Sequence, residues 1–230
     1  MKNISVILLN AFPEKKIKTL GNKGLIDVQK NKKLIDYHID YFNSLASNIV
    51  IVDGYDNKKM HKYLETEGYL SSKKIKYTYH DISDGNNIGT SIKCALEHVS
   101  DSNGLLIHNT SIMFNKKAID KFRSMKNSFC VVQKSRSKND IGCIVKESKI
   151  VTCFYGLPIK LLDSLYIDKK NITKFLEMIH NIDKISNMFL FEIINMAIET
   201  GIIVEPMEVG NSVVKHITSS KIYSLRNMDV

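Results

Sequence analysis

The chain has little of what divides, staples or anchors a protein. Three prolines among 230 residues, with no Ser/Gly-rich tract, low-complexity segment or internal repeat, leave no place for a linker. One compact domain over residues 1–230 is therefore expected, long enough to enclose a sizeable core. No apolar run approaches the length of a membrane span. Met1-Lys2-Asn3 and the short run after it lack the small-residue cleavage site of a signal peptide, so the cytoplasm is the expected compartment. Only four cysteines are present, Cys94, Cys130, Cys143 and Cys153, and no pair has a metal or redox spacing. They read as buried free thiols, which argues against a zinc site. Arginine occurs only at Arg123, Arg136 and Arg226, so the formal charge of +9 comes almost wholly from lysine. Such a surplus suits polyanionic partners, nucleotides among them. Specific nucleic-acid readout leans on arginine forks and clustered aromatics, and neither is found, so no specific nucleic-acid partner is expected.

What the chain does have is a clear alternation of strands and helices, starting with Ile4–Leu9. That β-branched, almost unbroken apolar run suits a strand buried on both faces of a parallel sheet. It stops at Asn10. Residues 11–24 carry Pro13, Gly21, Asn22 and Gly24 with Lys15, Lys16, Lys18 and Lys23, a cationic loop at the carboxyl end of the strand, where open α/β sheets bind ligands. A short extended piece is expected at 25–28 and a helix at 33–42. Strands follow at 48–53, Ile75–Tyr79 and 104–108, with helices at 56–67, capped by Asp56 or Asn57 and closed by Gly68, at 90–99 and at 115–125. Three strand-like segments, 128–133, 141–147 and Lys149–Tyr155, form an antiparallel excursion. Helices are expected at 158–166, 171–181 and 187–200, late strands at 202–209 and 212–217, and a closing helix at 219–227. The pattern predicts a three-layer Rossmann-like α/β fold, its sheet mixed but mostly parallel, with helices on both faces.

Several stretches resemble the nucleotidyltransferases that join a nucleoside triphosphate to a sugar phosphate or phosphocholine, a family of GT-A-like fold. Asn22-Lys23-Gly24-Leu25 stands at that family's Pro-Lys-x-Leu, and Lys33-Leu34-Ile35-Asp36-Tyr37 at its Pro-Leu-Ile-x-Tyr helix opening. Val52-Asp53-Gly54-Tyr55, Tyr63-Leu64 and Phe191-Glu192 with Asn195 also match. The resemblance implies an NTP and a small phosphorylated or phosphonylated acceptor as partners and Mg²⁺ as cofactor. It places Lys23 and Lys15 on the phosphates, Asn10, Ala11, Asn87, Ser91, Asn109 and Ser111 around the nucleotide, and Tyr155, Glu192 and Lys215 toward the acceptor.

The departures concern chemistry. Leu9-Asn10-Ala11-Phe12-Pro13 replaces the glycine loop, and Pro13 has no N–H to offer a phosphate. Ser111 stands at one metal-binding aspartate of the family and Thr218 at the other, and a neutral hydroxyl is a poor ligand for a hard divalent cation. Asp53, Asp81 and Asp84 remain as acids for a relocated metal site, and His108 with His216, both at strand ends, as a pair for a softer metal or for acid–base work. Two functions stay open: a nucleotidyltransferase, or an inactive relative that binds a ligand or serves assembly. A glycosyltransferase of related fold is disfavoured because no Asp-x-Asp motif occurs.

Overall fold

The computed structural model describes residues 3–11, 21–29, 32–81, 87–99, 103–134, 140–210 and 214–216. The chain runs β1 (Ile4–Leu9), β2 (Asp27–Gln29), β3 (Lys32–Lys33), α1 (Leu34–Asn43), β4 (Ala46–Asp53), α2 (Asn57–Thr66), β5 (Ile75–Tyr79), α3 (Ile88–Leu96), β6 (Gly104–Asn109), β7 (Ile112–Phe114), α4 (Lys116–Ser124), β8 (Phe129–Gln133), β9 (Ile141–Lys146), β10 (Lys149–Tyr155), β11 (Ile159–Asp168), α5 (Ile172–His180), α6 (Leu190–Glu199), β12 (Glu205–Glu208) and β13 (Val214–His216).

β1 is the spine of the sheet. All its residues are buried, as its unbroken apolar run requires, and it pairs in parallel with β4 on one edge and β6 on the other. β5 adds to β4 in parallel. Beyond β6 the sheet continues through β11, antiparallel to both β6 and β8, and ends with β12 parallel to β8. The order β5-β4-β1-β6-β11-β8-β12 thus contains one reversed strand, giving the mixed, mostly parallel sheet expected. The β9–β10 hairpin joins it where β9 meets the start of β11. Glu147 and Ser148 turn that hairpin with φ of 48° and 60°, the left-handed pair that matches strand twist in a two-residue loop.

The pleat divides the core into two. Val6, Leu8, Ile49, Ile51 and Leu106 pack against Ile35 and Phe42 of α1, Met60 and Leu64 of α2, and Ile119 and Phe122 of α4. Ile7, Leu9, Val50, Val52 and Ile107 face Ile92 of α3, Phe175 and Ile179 of α5, and Ile193 and Ala197 of α6. Helices therefore cover both faces, the three-layer arrangement foreseen.

The helix expected at 158–166 is a correction: from Ile159 these residues belong to strand β11, not to a helix. Leu161, Leu162, Leu165 and Tyr166 are all buried and fall at intervals of three and four, but the strand is covered on both sides. An apolar run of that kind carries no periodicity that separates strand from helix. Residues 25–28 are likewise not simply extended. Lys23–Leu25 is a 3-10 turn, and β2 then pairs with β3. The first late strand shortens to Glu205–Glu208, and the second, described over Val214–His216, pairs with β7 in a small separate ladder. The expected helix at 219–227 lies outside the described residues.

Candidate active site

The carboxyl ends of β1, β4 and β6 converge on a buried polar network. As β1 ends, the Asn10 N–H donates to the Val52 carbonyl at 2.8 Å, and its side-chain Nδ2 donates to Asn22 Oδ1 at 2.8 Å and Asp53 Oδ1 at 3.0 Å. Asn22 Nδ2 lies 2.9 Å from both Asp53 oxygens and from the Tyr55 carbonyl. The Tyr77 hydroxyl donates to Asp53 Oδ2 at 3.2 Å, and Thr110 Oγ1 to Asn10 Oδ1 at 2.9 Å. Asp53 is fully buried among these donors. Burial raises its pKa, while hydrogen bonds from Asn22, the Gly54 backbone, Asn10 and Tyr77 pull the other way. It anchors the returning loop, both of its oxygens being taken up by these donors. Asn22 is the hinge of that anchor, because its Oδ1 also accepts from the Gly24 N–H at 3.0 Å and so caps the turn that carries Lys23.

Lys23 reaches from this turn to the end of β6. Its Nζ donates to Asn109 Oδ1 at 3.1 Å and to Ser111 Oγ at 3.2 Å, and the residue is only 4% exposed. The Ser111 N–H closes the cluster on Asn109 Oδ1 at 3.0 Å. Asn109 Nδ2 in turn donates to Asp163 Oδ2 at 3.2 Å. Burial raises the Asp163 pKa, opposed by the Asn109 hydrogen bond and by the fields of Lys23 and Lys160. Three of the expected residues, Lys23, Asn109 and Ser111, thus meet, with Asn10 and Ala11 beside them at the end of β1. Ala11 is buried, and its carbonyl accepts from the Tyr55 N–H at 3.3 Å.

The other candidates are held in different ways. Asn87 caps α3, its Oδ1 accepting from the Ile88 N–H at 3.2 Å, and its Nδ2 donates to the Asn187 carbonyl. Ser91 is fully buried against His80, Oγ to Nε2 at 2.8 Å. Glu192 caps α6 by accepting from the Phe189 N–H at 2.7 Å. Tyr155 is 48% exposed and packs edge to face on Phe191, in a surface group with Phe154 and Phe189. Lys215 lies in β13 opposite Met113, and Lys15 falls outside the described residues, as does Asp84. Asp81 is exposed.

His108 lies in the core and not at the rim, and the side chain of His216, its expected partner, lies outside the described residues. His108 is fully buried, bonded to the Ile112 carbonyl at 3.0 Å and Ser164 Oγ at 3.2 Å, and tilted against His38 with ring centroids 5.1 Å apart. Burial lowers the pKa of both imidazoles, His38 to about 4. Asn195 acts at an edge: its amide both donates to and accepts from the Cys153 backbone at 2.8 Å, closing β10 as a neighbouring strand would.

The sequence reading missed Asn22, Thr110 and Asp163. Asp163 carried a signal, a lone acid in an apolar run. Asn22 and Thr110 carried none, because their partners are distant in sequence.

The residues at the end of β6 do not fit a magnesium ion. Mg²⁺ requires oxygen ligands at about 2.0–2.1 Å, usually with one or two carboxylates. Here both neutral oxygens, Asn109 Oδ1 and Ser111 Oγ, already solvate the Lys23 ammonium. A divalent ion about 4 Å from that ammonium would meet a repulsion of about 8 kcal/mol at an effective dielectric of about 20. Among the described residues no group of three or more His, Cys, Asp or Glu is disposed to hold a metal. A cavity of about 460 Å³ lies elsewhere, beside α1 and α2, where Asp40 and Asp27 are already paired with Lys32 and Lys33 at 2.6 and 2.7 Å.

No protein-family model and no curated protein sequence matches the chain. Solved structures do. The CTP:phosphocholine cytidylyltransferase of Streptococcus pneumoniae superposes with a TM-score of 0.74 at 15% identity, covering 96% of each chain. A Bacillus anthracis protein assigned as a glucose-1-phosphate thymidylyltransferase gives 0.74 at 12% identity, covering 99% of this chain and 97% of its own. The inositol-1-phosphate CTP transferase of T. maritima gives 0.70 at 15%, covering 98% and 95%. These likenesses establish the fold as that of the nucleotidyltransferases. No helix among the described residues is long and apolar enough to cross a membrane.

Proposed function

We propose that the chain is a single nucleotidyltransferase-like domain that binds the phosphates of a nucleoside triphosphate and transfers the nucleotidyl group to a small phosphorylated acceptor, a sugar phosphate, phosphocholine or a phosphonate. The observation that carries the reading is Lys23, whose ammonium sits between Asn109 and Ser111 at the carboxyl end of the central parallel strands. In a sheet of this type that end is the ligand side, and a fixed positive charge there is what a developing phosphoryl transition state requires. The solved structures of similar fold carry nucleotidyltransferase names, which supports the same class of reaction.

A second reading, a relative that binds its nucleotide without turning it over, is favoured by Ser111, which offers a metal no charge. Pyrophosphate release separates the two. The four NTPs are tested with Mg²⁺ or Mn²⁺ against a panel of phosphorylated acceptors. Release that disappears in Lys23→Ala supports transfer, and an NTP-induced thermal shift without release supports binding alone. Neither release nor shift rejects both nucleotide roles.

A further inference from the structure

We infer that the Lys23 ammonium takes the place of the divalent cation at this site, so that the chain binds the phosphate chain of a nucleoside triphosphate without a metal ion. The inference rests on the nucleotide reading above and adds the form of the ligand: the unchelated polyphosphate.

The argument starts from the donor set. Residue 111 would have to present a charged oxygen to hold a hard cation, and it presents a serine hydroxyl. That hydroxyl and the Asn109 amide oxygen both accept from Lys23, at 3.2 and 3.1 Å, so a cation is already installed and its solvation shell is made of protein. The turn bearing Lys23 is held from behind. Asn22 caps it through Gly24 and is itself clamped on both Asp53 oxygens, each 2.9 Å from Asn22 Nδ2 in a shared contact. Asp163, the carboxylate bonded to Asn109, also lies in the field of Lys160, whose Nζ is 2.9 Å from Asp140. Among the described residues, Lys23 thus has two neutral oxygens as acceptors and, behind Asn109, a carboxylate that also feels Lys160. A charged phosphate oxygen is a stronger acceptor for an ammonium than a neutral amide or hydroxyl. An entering phosphate displaces one of those contacts and keeps the cation.

The test is binding of ATP, CTP, GTP and UTP to the full chain, by isothermal titration and thermal shift, in EDTA and in Mg²⁺. At least one NTP is expected to bind in EDTA within about threefold of its affinity in Mg²⁺. Lys23→Ala should weaken the EDTA binding by at least tenfold. Ser111→Asp, which pairs the ammonium with a carboxylate, should weaken it similarly and make binding respond to Mg²⁺. Binding in Mg²⁺ that vanishes in EDTA overturns this inference and leaves the nucleotide reading intact. No binding in either buffer overturns both. An unchanged affinity in folded Lys23→Ala, checked by circular dichroism, overturns the assignment of the cation.

Discussion

Asp53→Asn is the sharpest probe of how the site is built. The change is nearly isosteric and removes a charge that burial opposes, so relief of that charge alone would be stabilising. The structure predicts the reverse. Asp53 Oδ1 accepts from Asn22 and Asn10, and Oδ2 from Asn22 and Tyr77. Whichever oxygen becomes an amide nitrogen, it faces two donors with nothing to accept. One full hydrogen bond to a charged acceptor, roughly 1.5–3 kcal/mol, and one arm of the bifurcated Asn22 contact are lost, partly offset by relief of the buried charge. The net cost is on the order of 3 kcal/mol. For a chain of this length that lowers Tm by roughly 6–12 °C.

The pH dependence gives a second readout of the same residue. Burial raises the folded pKa of Asp53 above its unfolded value, so between the two the folded state binds the proton more tightly. Stability from this group is full below the unfolded value and declines as pH rises through the folded one. The difference in urea-unfolding free energy between wild type and Asp53→Asn isolates that contribution, since all other groups cancel. It should fall with rising pH across the window and then level off. An unchanged Tm, or a difference that grows with pH, would refute the proposed balance between burial and donors.

Three further outcomes follow from packing and charge. Burial depresses His38 to about 4, so its contribution, on the order of 3 kcal/mol, is present above the ordinary imidazole value and is lost as pH falls toward 4; His38→Gln should flatten this acid limb in urea titrations at pH 7 and 5, and an unaltered slope counts against it. A Cβ on Gly89 would stand 1.7 Å from the Ile185 carbonyl oxygen, so Gly89→Ala should lower Tm by several degrees, a cost of roughly 1–3 kcal/mol, although alanine is the better helix former; an unchanged Tm in differential scanning fluorimetry contradicts the close approach. Cys94 is half-buried, whereas burial pushes Cys143 to about 11 and Cys153 to about 12, so a thiol reagent read by mass spectrometry should mark Cys94 first, and rapid native labelling of the other two would show the hairpin packing to be wrong.

How much of this the sequence disclosed depended on whether the signal was local. β1 was legible because burial on both faces writes itself as a contiguous β-branched run. β11 was misread for the same physical reason, and Asp163 was lost with it. The cluster of Lys23, Asn109 and Ser111 was legible only through motif resemblance, since Lys23 and Ser111 are 88 positions apart. Asn10, Asn22 and Asp53 are separated by 12 and 31 positions. Two amides and one acid at such spacings look like turn formers and a surface charge. What joins them is the convergence of strand ends, a property of the sheet and not of any segment. The two cysteines of the hairpin repeat the lesson: Cys143 and Cys153 have no motif spacing, yet antiparallel pairing sets them directly opposite each other.

The serine at position 111 has two consequences that pull in the same direction. An aspartate there would be a metal ligand, but within about 3 Å of an ammonium it would also neutralise Lys23 by a charge-assisted hydrogen bond. A serine offers a metal no charge, and its hydroxyl, like the Asn109 amide oxygen, accepts from the lysine without carrying a formal charge. The positive field at the strand end is therefore not cancelled by residue 111, and a phosphate entering there meets a cation already fixed in place. Replacing the glycine loop reinforces this balance. Pro13 removes a backbone donor, so in the proposed nucleotide site more of the phosphate recognition would fall to side-chain charge. In the proposed site Lys23 supplies that charge, and the buried clamp of Asn10, Asn22 and Asp53 behind it supplies the rigidity. On this view the two departures from the family pattern are coupled: restoring the carboxylate alone, as in Ser111→Asp, should weaken phosphate binding in the absence of metal.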